Sequence, residues 1–415
     1  MLASQLAAAT VVADVLAGKS LVPALIHMRQ TGHLTAQQQA ACQDLSYGVL
    51  RIYGELAAIL AHLAPQTPKS ARLRALLLVA LYQLQEGRHA PYTVVNFAVK
   101  AAEKLKQAKG FVNAVLRRFT REQAVLCQQV REHNEVARYN YPKWWIKQVR
   151  QSYPQTWEQV LAQGNTHPPL TLRIHPQHTT ACAYVALLAE QGMPAYVLSS
   201  SAVQLEKPVP VDKLPHFWEG WVSVQDFGAQ AAAAYLAPAA GMRVLDACAA
   251  PGGKSGHLLE SYPQIQLTAL DIDPVRVGSI EQNFKRLQLQ AHVVVGDAAD
   301  PTTWWNGEPF ARILADVPCS GSGVVRRHPD SKWLRRAADI AQLTEQQQRI
   351  LQSLWSCLAP QGRLLYVTCS IFPAENQQQI AAFLATHPEA SCLEQVQWLP
   401  EPKHDGFYYA LLQKN

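Results

Sequence analysis

From Phe227 onward, short apolar runs of strand length alternate with segments of helical period. Arg243–Ala247, Leu267–Ile272, His292–Val295, Arg312–Asp316 and Arg363–Thr368 read as strands, and Phe407–Leu412 as a last one. Helices are expected from Lys254, over Pro274–Leu287 and from about Ala341 to Leu358. That order leaves few folds open. A helix between two strands returns the chain to the end of the sheet it started from, so the strands run parallel and helices cover both faces. A doubly wound α/β sheet is therefore expected over residues 227–415. Such sheets bind ligands outside the carboxyl ends of their strands, so the chemistry is expected from strand-end residues.

The first of these strands runs into Asp246-Ala247-Cys248-Ala249-Ala250-Pro251-Gly252-Gly253-Lys254 and then a helix. Small residues and paired glycines let a ligand approach the backbone. The helix start offers unpaired N–H groups to a carboxylate or phosphate. Asp271 ends the next strand, where an acid typically takes ribose hydroxyls. Gly296-Asp297 ends the third, within reach of an adenine amino group. Three strand ends converging on one crevice make a cofactor site. The G-x-G-x-x-G fingerprint is absent, which disfavours NAD, and Gly252-Gly253-Lys254 lacks the earlier glycine of a phosphate-binding loop.

Two further strand ends carry thiols. Ala315-Asp316-Val317-Pro318-Cys319-Ser320-Gly321-Ser322-Gly323 closes one, and Val367-Thr368-Cys369-Ser370 the other. The chain has 8 cysteines and no C-x-x-C pair, so a structural zinc site is not expected, nor are disulfides in a reducing cytosol. Cys42, Cys127, Cys182, Cys357 and Cys392 read as small buried hydrophobes. Cys319 or Cys369 alone would read the same way. Two thiols at strand ends of one sheet, beside a cofactor loop, point instead to covalent chemistry. Carbon 5 of a pyrimidine is too weak a nucleophile to take a methyl group directly. A thiolate adding to carbon 6 pushes electron density onto carbon 5. An acid beside the ring nitrogen assists, and a base must then remove the carbon 5 proton. Cysteine suits the addition because its thiolate is easily reached and intrinsically nucleophilic.

Upstream, residues 1 to about 138 carry only helical periodicity, as in Leu45-Val49-Leu50-Tyr53-Leu56-Leu60 and Leu73-Leu76-Leu77-Ala80-Leu84. A helix is expected from Pro91 or Thr93 to about Lys106, with Gly110 breaking it from the next. Lys100, Lys104, Lys106, Lys109, Arg117, Arg118 and Arg121 face only Glu103 and Glu122 in this stretch, interleaved with Phe111, Val112, Val115, Leu116 and Phe119 at helical spacing. The stretch reads either as a core helix with a solvated basic face or as a footprint for a phosphate backbone. A Trp-, Tyr- and Pro-rich connector follows from Tyr139 to Pro169, with one or two short helices. Leu170–Ile174, Thr180–Gln191 and Tyr196–Leu205 then read as a strand, a helix and one or two strands, a small α+β module ending near Asp226. Three segments result: 1–138, 139–226 and 227–415. A hydrophobic content of 48% supplies cores for them, and the net charge of +6 suits a polyanion partner. No run approaches the roughly 18 apolar residues of a membrane span. Leu76–Leu84 is too short, and no positive charge precedes the N-terminal apolar stretch that Asp14 interrupts. A cytoplasmic protein without a membrane partner or a bound metal is expected. Arg326, Arg327, Lys332, Arg335 and Arg336, following the Cys319 loop directly, read as a surface charge run or a phosphate contact.

The set Cys248–Lys254, Asp271-Ile272-Asp273, Gly296-Asp297, Ala315–Gly323 and Thr368-Cys369-Ser370 resembles the RNA cytosine-5 methyltransferase superfamily. DNA cytosine-5 enzymes have the Pro-Cys without the second cysteine. The resemblance implies S-adenosylmethionine held by Cys248, Ala249, Ala250, Pro251, Gly252, Gly253, Lys254, Asp271, Asp297 and Asp316. It implies Cys369 as the nucleophile that adds to carbon 6, Cys319 as the residue assisting elimination and release, and Asp316 as the contact to the cytosine. Val94-Val95-Asn96, Lys109–Arg118, Val224-Gln225-Asp226, Arg326–Asp330 with Lys332–Arg336, and Asp405–Tyr409 extend the likeness to the Sun/Fmu-type branch acting on 16S ribosomal RNA. That implies an all-α NusB-like RNA-binding domain over 1–138, an RNA-binding α+β module over 139–226 and an α/β Rossmann-like methyltransferase domain over 227–415. It implies a monomer acting on 16S rRNA and not on DNA. The target base must leave its stack at a cost of roughly a few kcal/mol, while the N-terminal domains hold the RNA. Two other readings stay open. One is a tRNA cytosine-5 enzyme on the same core. The other is an RNA-binding assembly or antitermination factor that uses the core as a scaffold. Intact Asp316, Cys319 and Cys369 favour an enzyme, since a retired site has no chemical need for two thiols.

Overall fold

The computed structural model of the chain describes residues 1–66 and 68–415. The chain forms two compact units, Met1–Thr166 with Val325–Ala337, and His167–Val324 with Ala338–Asn415.

The first unit is helical throughout its regular structure. Ala71–Glu86 is its central helix, with Leu76, Leu77, Val79, Ala80 and Leu81 all at most 1% exposed. The expected helix runs over Pro91–Lys104, and the next is Lys109–His133. Gly110 does not break them apart. It lies in the first turn of the second helix, and Lys106, at φ 54°, makes the turn between the two. Lys109–His133 satisfies both sequence readings at once: Val112, Val115, Leu116 and Phe119 are buried, while Lys109, Arg117 and Arg121 are exposed.

The connector is divided between the units. Its helices Lys143–Ser152 and Trp157–Gly164 belong to the first, where Tyr141 and Trp145 are buried. Its strands belong to the second: β1 (Leu170–Ile174), β2 (Ala195–Ser199), β3 (Ala202–Leu205) and β4 (Val222–Val224), an antiparallel sheet in the order β2-β3-β1-β4. Tyr196–Leu205 is thus two strands, and helix Ala181–Glu190 covers the sheet with Tyr184 and Leu188.

The second unit continues with β5 (Arg243–Asp246), β6 (Gln266–Asp271), β7 (His292–Val295), β8 (Phe310–Asp316), β9 (Leu358–Thr368), β10 (Ala390–Trp398) and β11 (Phe407–Lys414). They form a 7-stranded sheet in the order β10-β11-β9-β8-β5-β6-β7. β5 to β9 are parallel; β11 is antiparallel to both β9 and β10. The all-parallel expectation is corrected there. β10 escaped the sequence reading because it is an edge strand, half-exposed along its length, and so carries no clear apolar alternation. Elsewhere the alternation is strict. Leu364 and Tyr366 enter the core on one face, Leu365 and Val367 the core on the other. The strand order reverses between β5 and β8, which opens a crevice at their carboxyl ends.

Two of the five cationic residues in the basic run after the Cys319 loop are buried. Val325–Ala337 is part of the helical unit, with Arg326 and Lys332 at 1% and 0% exposure. The Lys332 ammonium donates to the Arg51 carbonyl at 2.9 Å and to Asn165 Oδ1 at 2.7 Å, and lies 4.4 Å from the Tyr141 ring centroid. Burial, with Arg51 nearby, pulls its pKa well below the usual amine range. Asp330 accepts the backbone N–H of Leu21 at 2.9 Å. Lys332 and Arg326 are structural pins, while Arg327 and Arg335 are partly exposed and Arg336 is exposed.

Candidate active site

The cofactor loop begins where β5 delivers Asp246 to the crevice. Asp246 is 1% exposed, and its Oδ2 accepts from Ser255 Oγ at 2.5 Å. Its Oδ1 is buried with no partner among the described residues. Burial pushes this carboxyl up to about 7, against the pull of Ser255. Gly252, at φ 92°, turns the chain into helix Gly253–Ser261, a conformation that side-chain-bearing residues resist. The loop is clamped to the next strand: Ala250 N–H donates to Asp271 Oδ2 at 3.0 Å, Ala249 N–H to the Leu270 carbonyl at 2.9 Å. Arg276 donates to the Ala250 carbonyl at 2.7 Å. Asp297, after β7, is half-exposed, its Oδ1 accepting the Ala299 N–H at 2.9 Å.

From below, the loop is held by a residue the sequence did not flag. Arg173 of β1 is fully buried and pairs with Glu260 through two 2.7 Å bonds. It also donates to Gln225 Oε1 and to the Gly253 carbonyl, both at 2.8 Å. Nothing in the local sequence distinguishes Arg173; its partners lie 52 to 87 residues away. The Gln225-Asp226 pair is explained as well: Asp226 caps helix Phe227–Leu236 and accepts the N–H of Asp405 at 3.1 Å.

β8 and β9 bring the thiols together. Cys319 Sγ and Cys369 Sγ are 3.3 Å apart, both half-exposed. Hydrogen bonding to Cys369 and then burial raise the Cys319 thiol well above its usual pKa. Cys248 is also raised, by burial and by Asp246, Asp316 and Asp271, which marks it as a neutral thiol and not a third nucleophile. Asp316 accepts from Lys254 Nζ at 2.5 Å. Burial opposes the Lys254 charge, but Asp316 outweighs it and the amine is held protonated. The two thiol loops touch through bare backbone. Gly323 N–H donates to the Cys369 carbonyl at 2.8 Å, and a Cβ on Gly323 would come within 2.3 Å of the Gly406 oxygen.

The structure therefore brings together at one end of the sheet every site residue read from the sequence, and adds Asp246. Asp246, Asp271, Asp297 and Asp316 stand at four neighbouring strand ends, against Lys254 and Arg276. A buried carboxylate oxygen without a partner, beside acids suited to hydroxyls and an amino group, fits S-adenosylmethionine, whose ammonium and sulfonium are both cationic.

Comparison with known proteins agrees along the whole chain. Residues 233–413 match the family described as 16S rRNA methyltransferase RsmB/F, 141–212 the RsmF/B-like ferredoxin-like domain, and 3–121 the NusB family. Ribosomal RNA small subunit methyltransferase B of Vibrio cholerae is 44% identical over 410 residues, covering 96% of this chain and 94% of that one. The crystal structure of PH0851 shares the fold with a TM-score of 0.80 at 23% identity, over 100% of this chain and 99% of that one. NSun6 from Pyrococcus horikoshii with SFG gives 0.59 at 16% identity, over 66% and 98%.

Proposed function

The chain belongs to the 16S rRNA methyltransferase RsmB/F family, and on that premise we propose that it methylates carbon 5 of a cytosine in 16S ribosomal RNA through a covalent adduct with Cys369. Membership makes it an S-adenosylmethionine-dependent rRNA methyltransferase. The carbon 5 position and the covalent route rest on one observation, two strand-end thiols 3.3 Å apart beside the cofactor loop.

Cys369 enters as the thiolate, the form of cysteine that is nucleophilic. Its sulfur adds to carbon 6, and the displaced electron pair moves to carbon 5. S-adenosylmethionine, when bound by the Cys248–Lys254 backbone with Asp246, Asp271 and Asp297, supplies the electrophilic methyl group. Asp316, oriented by Lys254, contacts the cytosine and favours the electron shift. Cys319, its own proton having left to water, accepts the carbon 5 proton. The electrons of that C–H bond restore the C5–C6 double bond as the bond from carbon 6 to Cys369 breaks. The balance is one methyl transferred and one proton released to water. The substrate is RNA and not DNA, and the protein works as a monomer in the cytoplasm. Among the described residues no helix is long and apolar enough to cross a membrane.

The test is transfer of labelled methyl groups to 16S rRNA, followed by mapping of the labelled base. Cys369→Ala abolishes both transfer and adduct. Cys319→Ala transfers once and remains covalently on RNA, as a slow band on a denaturing gel. An adduct with Cys369→Ala but none with Cys319→Ala reverses the two roles. Label recovered in tRNA instead moves the substrate class.

A further inference from the structure

A carboxylate that touches neither cofactor loop nor crevice links the two thiol loops. Glu375 is 0% exposed and lies just after the Thr368-Cys369-Ser370 turn. Its Oε1 accepts the backbone N–H of Ser320 at 2.8 Å and Gln347 Nε2 at 3.1 Å. Its Oε2 accepts Ser320 Oγ at 2.6 Å and Ser370 Oγ at 2.5 Å. Gln347 also donates to the Pro318 carbonyl at 2.9 Å. Pro318 and Ser320 flank Cys319, and Ser370 follows Cys369. Ser322 closes the network, 2.9 Å from Ser370 Oγ and accepting the Ile371 N–H at 2.8 Å.

We propose that Glu375 is a positioning residue for both thiols, tying the loop after β8 to the loop after β9 so that Cys319 and Cys369 reach adjacent carbons of one base. The inference deepens the covalent reading above and rests on it. Four donors converge on two oxygens, which suits an ionised carboxylate and no neutral isostere. Carbons 5 and 6 are directly bonded, so the sulfur on carbon 6 and the sulfur taking the carbon 5 proton must stay within a few ångströms. If the Cys319 loop drifts, Cys369 can still add and carbon 5 can still be methylated. The proton then has no base at hand, the C6–S bond persists, and the enzyme stays on its product. A misplacement of about 1 Å is enough to cost around 100-fold. The carboxylate charge also contributes to the raised pKa of Cys319, after Cys369 and burial.

Glu375→Gln keeps the shape and places an amide donor against the serine hydroxyls. The expected result is turnover reduced about tenfold or more, a first-turnover methyl burst within about twofold of the parent, and covalent RNA accumulating on a denaturing gel. S-adenosylhomocysteine affinity stays within about twofold. A parent-like turnover overturns the proposal, and so does a parallel loss of burst and release. A merely structural role would lower cofactor affinity and burst together. If Glu375→Gln does not fold, Ser320→Ala removes one donor on the Cys319 loop alone. It should show the same accumulation in milder form, and turnover equal to the parent overturns the proposal. RNA carrying 5-fluorocytosine, from which no carbon 5 proton can leave, separates the two levels of failure. No trapped complex with the unaltered protein sinks the covalent reading itself. A trapped complex with parent-like Glu375→Gln turnover sinks only the role of Glu375.

Discussion

At the residue scale the site turns on strand-end side chains with unequal surroundings. Asp246 shows how far residue type and position carry. Its place at the end of β5 was visible as the first letter of the cofactor motif, but its burial and its unpartnered oxygen were not. A carboxyl raised from 3.8 to about 7 binds more protons folded than unfolded between those values. Its contribution to stability is thus fully present below 3.8 and lost as pH rises toward 7. A cationic ligand reverses that preference, because it favours the ionised form. S-adenosylhomocysteine affinity, measured by calorimetry, should therefore rise with pH up to about 7, by at most about tenfold per unit, and level off above it. Asp246→Asn should bind more weakly with a flat profile over that range; a profile like the parent's removes Asp246 from the cofactor site. Lys332 and Glu375 show the opposite limit. One read as a surface charge or a phosphate contact and the other as nothing at all, and both are fully buried by distant partners.

Elements were legible where apolar spacing decides them. Pro274–Leu287, His292–Val295 and Leu170–Ile174 occur with the bounds read from the sequence, because each is a regular pattern closed by Pro, Gly or a turn. β10 and the break at Lys106 were not, since an edge strand has one neighbour and a left-handed lysine carries no signature. How elements are pinned to one another was not legible either. Arg173 fastens β1 to the helix that follows the cofactor loop, with no exposure to water. Arg173→Leu leaves Glu260 buried without a counter-charge. It should cost about 3–5 kcal/mol in chemical denaturation and weaken S-adenosylhomocysteine binding through the Gly253 carbonyl. Replacing both partners by Leu should recover much of that loss. A single-variant loss below about 1 kcal/mol would mean that water reaches Glu260.

For the whole molecule, one helix of the first unit keeps a basic face: Lys109–His133, with Lys104 and Lys106 just before it. Neutralising Lys104, Lys106 and Arg117 should weaken RNA binding and lower the slope of log affinity against log salt by up to about 2–3, with cofactor affinity unchanged. An unchanged slope leaves that helix a core element only. The run Arg326–Arg336 has a similar composition, but Arg326 and Lys332 are buried there. The sequence by itself determined the class of sheet, the strand ends where the candidate site residues stand and the helical nature of the first segment. Each of these follows from periodicity and from residue types that few reactions need. The tertiary structure alone decided which charges face water, that the two thiols meet, and that Arg173 and Glu375 are buried against the loops that carry the candidate site. Burial and pairing depend on residues far apart in the chain, and their electrostatic effects exist only once those residues meet.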